Sequence, residues 1–207
     1  MSISNINYDY TLFPKMEQGY LVIPKPCDGL KPHIELYDRF CSAIFMASMI
    51  SEKAKKYMIR DAAQQCAYVR ATLAEFCSIE ECIKQLHPQL DKKLYLIHCS
   101  ENPAFHMIKL LRNYNIHLSN STLSKKSIRV APLNKPESEC DMSVLYIDNL
   151  DYSAISKLNS AKKYYSMEDL ESFIRLFDDK QHAFGLSDLL IATIVQYSEL
   201  ISKTLNK

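Results

Sequence analysis

The chain has 207 residues, 47% of them hydrophobic, and its 25 basic and 24 acidic residues leave a formal net charge of +1. That length can bury one sizeable core, and near-neutrality excludes a global field that draws in nucleic acid, so any such binding has to come from a local patch. Seven cysteines without a Cys-x-x-Cys pair and only three glycines argue against a zinc ribbon, a disulfide framework or a glycine-rich phosphate loop.

Residues 1 to 32 carry four prolines (Pro14, Pro24, Pro26, Pro32), a density that forbids a continuous helix. An irregular arm is expected there, with a short strand at Gly19 to Ile23 and its aromatics laid over the rest. From His33 to about Ile50, Leu36, Phe40, Ile44 and Phe45 mark an apolar helix. Ser51 interrupts it, and a second helix is expected from about Glu52 to Phe76 or beyond, with Ala62, Cys66, Val69 and Leu73 at helical spacing. Lys53, Lys55 and Lys56 form a basic run at its start, either a solvated helix end or an RNA-facing patch. Ser78-Ile-Glu-Glu81 has capping-box form, so a short helix is expected to continue to about Leu86 before His87-Pro88 ends it.

The next stretch, Asn102 to Leu118, is the best-marked helix of the chain. Asn102 can accept an orphan N–H and Pro103 suits the first helical position, while Phe105, Ile108, Leu110, Leu111 and Tyr114 supply an apolar face. A polar breaker follows, then Lys125, Lys126 and Arg129. Ser127 to Ala131 and Met142 to Asp148 predict a small β-hairpin around Pro132 and Pro136. Ser166-Met-Glu-Asp169 is a second capping box, opening a helix to about Phe177. Gly185 breaks that pattern, and Ser187 is expected to cap a final helix with a stripe of Leu190, Ile191, Ile194, Val195, Leu200 and Ile201 that closes the bundle or mediates dimerisation.

The elements add up to a mostly α fold, a helical bundle over 33 to 205 with a small hairpin inserted at about 125 to 150. No leader pattern opens the chain and no apolar run reaches membrane-spanning length. With cysteines such as Cys41, Cys66 and Cys77 in apolar helical stretches, a cytoplasmic protein with reduced thiols and no membrane partner is expected. His87, His98 and His106 fall at no metal-ligand spacing, so neither a metal nor a cofactor is expected.

The chemistry concentrates at Arg112-Asn-Tyr-Asn-Ile-His117. Arg112 holds a permanent charge on a planar fork suited to phosphate, and His117 titrates near neutrality. Asn113 lies four residues before His117 and so beside it on a helix face, where its amide can orient the imidazole. This string resembles the signature of the HEPN family (higher eukaryotes and prokaryotes nucleotide-binding), whose members are helical bundles. In nuclease members the Arg, the polar residue after it and the His cleave RNA without metal in a cleft between two protomers. The resemblance implies that Arg112, Asn113 and His117 are catalytic, that the substrate is RNA, and that the chain is a homodimer. It also implies a toxin or antiphage effector paired with a neutralising antitoxin.

Lys125, Lys126 and Arg129, just downstream, are the expected RNA-binding cations. Arg112 and His117 are five residues apart, about 140° around a straight helix, which favours a site completed across a two-fold axis. Asp61 or Glu75 could orient Arg112 or His117. The competing reading is a non-catalytic nucleotide-binding or protein-interaction module, in which Arg112 pairs with an acid on a neighbouring helix and His117 caps its own.

Overall fold

The computed structural model describes residues 6–9, 11–51, 58–117 and 122–206, with the backbone alone at 116 and 117. It is mostly helical. In chain order come α1 (Ile34–Ser48), α2 (Asp61–Leu86), α3 (Pro103–His117), the antiparallel strands β1 (Leu123–Val130) and β2 (Cys140–Ile147), then α4 (Tyr152–Ile155), α5 (Asn159–Tyr164), α6 (Met167–Phe184) and α7 (Leu186–Leu205).

Helix α7 is the axis of the structure, packing against α1, α3, α6, β2 and a 3₁₀ turn at Asp28–Leu30. Leu189, Leu190, Ile191, Ile194, Tyr197 and Ile201 have no exposed surface. The expected closing stripe is thus the centre of the core, although Val195 and Leu200 stand only partly buried. Tyr197 joins Phe40, Phe76 and Phe105 in a ring cluster with centroids 5.0 to 5.7 Å from it. Its hydroxyl, buried with the ring, donates to the Tyr95 carbonyl at 2.7 Å. A buried phenol needs such a partner, which is why Tyr can stand where Phe would otherwise be expected.

Several boundaries differ from the sequence-based expectation for local reasons. Helix α2 begins at Asp61 and runs without a break through Ser78 to Leu86. The Ser78 hydroxyl turns back onto the Glu75 carbonyl, and Phe76, Ile79 and Ile83 continue one buried stripe, so packing overrides the capping signal. Lys53, Lys55 and Lys56 lie outside the described residues. No strand forms at 19 to 23, where Leu21, Val22 and Ile23 are exposed. That segment is fastened by the Tyr20 amide, which donates to the Asp188 carboxylate at 2.9 Å. Earlier in the arm, Tyr8 stacks on Phe173 and its hydroxyl bonds to Asp169.

Asn102 and Pro103 open α3 as expected, with the Asn102 side chain accepting from the Ala104 amide at 3.0 Å. Ser166 and Asp169 form the reciprocal capping box of α6. Gly185 ends that helix at φ 87, in the left-handed region that favours glycine. A Cβ there would also meet Val144 at 2.9 Å. Gly185, rather than Ser187, is the N-cap of α7; the Ser187 hydroxyl instead donates to the Ala47 carbonyl at 2.8 Å and ties α7 to the end of α1. Among the described residues no single helix is long and apolar enough to cross a membrane, and α6 and α7 together reach that length only across a 115° bend.

The hairpin is longer than expected, since β1 already includes Lys125 and Lys126. Leu145 and Ile147 bury it in the core, and one buried polar side chain pairs its outer backbone. Gln181 of α6 donates to the Ile147 carbonyl at 2.9 Å and accepts from the Ile147 amide at 2.8 Å, standing in for a third strand. Gln181→Leu would leave both backbone groups buried and unpaired, and should destabilise the protein by about 2 to 4 kcal/mol in urea unfolding. A loss below about 0.5 kcal/mol, the scatter of ordinary surface substitutions, would show that the hairpin does not depend on this contact.

Candidate functional site

Burial leaves α3 one polar edge. Ala104 to Ile108, Leu110, Leu111 and Tyr114 are buried, whereas Lys109, Arg112 and Asn113, at helical steps of three and four, are half-buried. Arg112 Nη1 donates to Asn113 Oδ1 at 3.0 Å, and Asn113 Nδ2 donates to Ser160 Oγ of α5 at 3.1 Å. The Arg112 Nε atom is buried and has no hydrogen-bond partner among the described residues. The guanidinium is therefore oriented by a neutral amide that α5 holds in place.

No carboxylate forms an ion pair with Arg112 among the described residues. Of the two acids expected to orient it, Glu75 pairs with Arg39 at 3.2 Å and Asp61 with Lys125 at 3.4 Å. The nearby buried acid, Glu80, is held by Lys109 at 2.5 Å and by the Ile97 amide at 2.6 Å. Among the described residues no acid pairs with the Arg112 charge, which suits it to receive an anion.

His117 is the last residue of α3, and its side chain lies outside the described residues. The Asn113 amide, expected to orient that imidazole, makes its described bonds to Arg112 and Ser160, with one lone pair and one proton left over.

The other imidazoles have separate roles. His106 is fully buried, with Nε2 2.8 Å from the Ser100 carbonyl and Nδ1 2.8 Å from the Tyr165 hydroxyl. A carbonyl only accepts, so Nε2 carries the proton and Nδ1 accepts from Tyr165. Burial pushes this imidazole down to about 4. His98 stacks on Tyr164 with centroids 5.7 Å apart. Burial, with Lys109 and Lys163 nearby, holds it below the ordinary histidine value. Cys77 of α2 lies within the field of Lys109 and Arg112, but burial pushes its thiol up to about 12, so it is an inert thiol and no nucleophile.

The three expected RNA-binding cations lie on β1 of the hairpin. The base of the hairpin touches the last turns of α3, where Asn149 donates to the Tyr114 hydroxyl at 3.1 Å. The strand then carries Arg129 roughly 20 Å farther on, at about 3.3 Å per residue. Each cation also has a local partner. Lys125 pairs with Asp61, Lys126 donates to the His182 carbonyl at 2.7 Å, and Arg129 faces Glu139 and Asp141 at 3.7 and 4.0 Å. These contacts are exposed and weak. Lys162 and Lys163 of α5, which the sequence did not single out, are exposed and form no ion pair among the described residues. The apolar punctuation Leu158, Ala161 and Tyr165 around Asn159-Ser-Ala-Lys-Lys-Tyr164 is the signal that could have revealed α5.

Among the described residues no three His, Cys, Asp or Glu side chains gather as metal ligands. Compared with protein-family models, with curated proteins and with solved structures, the chain matches none.

Proposed function

We propose that the end of α3 binds an RNA phosphodiester and cleaves it by attack of the neighbouring 2′-hydroxyl, as the resemblance to the HEPN nucleases implies. The observation that carries this reading is the Arg112 guanidinium, fixed by Asn113 and Ser160 and without a carboxylate partner among the described residues, on the helix that ends at His117. Arg112 holds the phosphate oxygens and stabilises the charge that grows on them. His117 takes the 2′-hydroxyl proton while the 2′-oxygen bonds to phosphorus, and a proton is returned to the 5′-oxygen as its bond to phosphorus breaks. The products are a 2′,3′-cyclic phosphate and a 5′-hydroxyl. DNA of the same sequence lacks the nucleophile and should survive intact, and cleavage of both strands at equal rates would refute the mechanism.

A spacing of five residues separates positions 112 and 117 by about 140° around an ideal helix, so the reading includes a homodimer in which one protomer's Arg112 meets its partner's His117. Mixing Arg112→Ala with His117→Ala protein tests this. Half of the randomly assorted dimers would then contain one site with both native groups, so about a quarter of the wild-type activity should return. No recovery from a mixture shown by mass to exchange subunits would place both groups in one protomer. A toxin or antiphage role with a neutralising partner belongs to the same proposal. The competing reading, a module that only holds a nucleotide or a neighbouring protein, would follow if RNA binds through Arg112 without being cut.

A further inference from the structure

Helix α5 joins the Arg112 site to a pair of aromatic rings. Ser160, which holds Asn113, and Tyr164 are four residues apart and so lie one turn from each other on the same face of α5. Tyr164 stacks on His98 at 5.7 Å with 18° between the ring planes, and the Lys163 ammonium stands 4.9 Å from the Tyr164 centroid. The ring cluster around Tyr197 is buried, whereas His98 and Tyr164 are both partly exposed. Neither the Tyr164 hydroxyl nor the His98 ring nitrogens are hydrogen-bonded among the described residues. Packing of the core does not call for this pair.

We propose that Tyr164 and His98 form a stacking subsite for an unpaired RNA base, next to the phosphate held by Arg112. The inference rests on the reading of that site as RNA-binding. A base has a π face for the rings, and its ribose-phosphate carries the negative charge that suits Arg112, Lys162 and Lys163, none of which has an acid partner among the described residues. A base that takes the place of Lys163 over the Tyr164 ring frees that ammonium for the adjoining phosphate. His98 stays neutral at physiological pH, because burial and the neighbouring cations oppose its protonation, and so stacks without a charge of its own. Selection for single-stranded over duplex RNA follows, since a paired base cannot present its face.

The chain contains no Trp, so Tyr164→Trp places a single indole at the subsite. Titration with a short oligouridylate should quench its emission, and a blunt RNA duplex should not. Tyr164→Ala should weaken binding of the oligouridylate by about tenfold or more, as loss of one stacked base does, while Tyr164→Phe retains it. Unquenched emission together with native affinity in Tyr164→Ala, when Arg112→Ala has lost binding, would overturn the subsite and leave the phosphate site standing. A wild-type protein that binds neither RNA would overturn both. Should Tyr164→Ala fail to fold, the indole emission and the Tyr164→Phe affinity decide.

Discussion

Arg112→Ala and His117→Ala should each lower RNA cleavage by about a hundredfold or more while leaving the helical spectrum unchanged, because acid–base and electrostatic groups typically contribute that much. The expectation of an intact fold follows from the surroundings of Arg112. It is half-buried, bonded to the side chain of its own neighbour, and among the described residues paired with no acid that its loss would strand. Substituting Lys109 is different, since that would leave the Glu80 carboxylate buried beside the Ile97 amide without its cation. Asn113→Ala should lower activity less than Arg112→Ala, because it frees the guanidinium to move without removing its charge. If Arg112→Ala melts early and His117→Ala cuts RNA at the native rate, the two residues are structural and the module reading gains.

Acidification from pH 7 to pH 4 should remove about 3 kcal/mol of stability through His106 alone, the equivalent of a shift from 6.5 to about 4 at 1.36 kcal/mol per pH unit. The folded imidazole resists protonation because it is buried, an effect larger than the opposing pull of the Ser100 carbonyl that accepts from Nε2, and the neighbouring Lys109 charge acts with burial. The unfolded chain takes up that proton near 6.5. Between the two values the unfolded state holds the extra proton, so the contribution is fully present above about 6.5, falls as the pH falls, and is exhausted near 4. His87 and His98 are shifted in the same direction by burial and add to the same slope. His106→Gln therefore serves as the reference. Its absolute stability will be lower, but its loss between pH 7 and pH 4 should be smaller than that of the wild type. Equal slopes for the two proteins would mean that His106 is not held neutral.

The parts of this fold legible in the sequence are those where local chemistry and tertiary packing agree. Asn102-Pro103 and Ser166 to Asp169 cap their helices as their side chains dictate. The hairpin around Pro132 and Pro136 and the break at Gly185 follow from backbone constraints alone. Where a polar side chain has a choice of partners, local signals mislead. Ser78 bonds back into α2 and Ser187 reaches across to α1, so each resembles a cap and is none. Of the site, Arg112 and Asn113 could be found because their spacing is local. Ser160 could not, since it is 47 residues from the amide it holds and only the packing of α5 on α3 brings them together. For the same reason Asp61 and Glu75 could not be assigned, as their cations, Lys125 and Arg39, come from other elements.

The central claim is that the end of α3 is a site of RNA cleavage. End-labelled single-stranded RNA incubated with the purified protein in excess chelator, with Arg112→Ala and His117→Ala protein run alongside, tests it most directly. The expected result is fragments with a cyclic phosphate and a 5′-hydroxyl from the wild type and about a hundredfold less from either variant. Intact RNA with the wild type across several unrelated sequences, or the same fragments at the same rate from all three proteins, would contradict it.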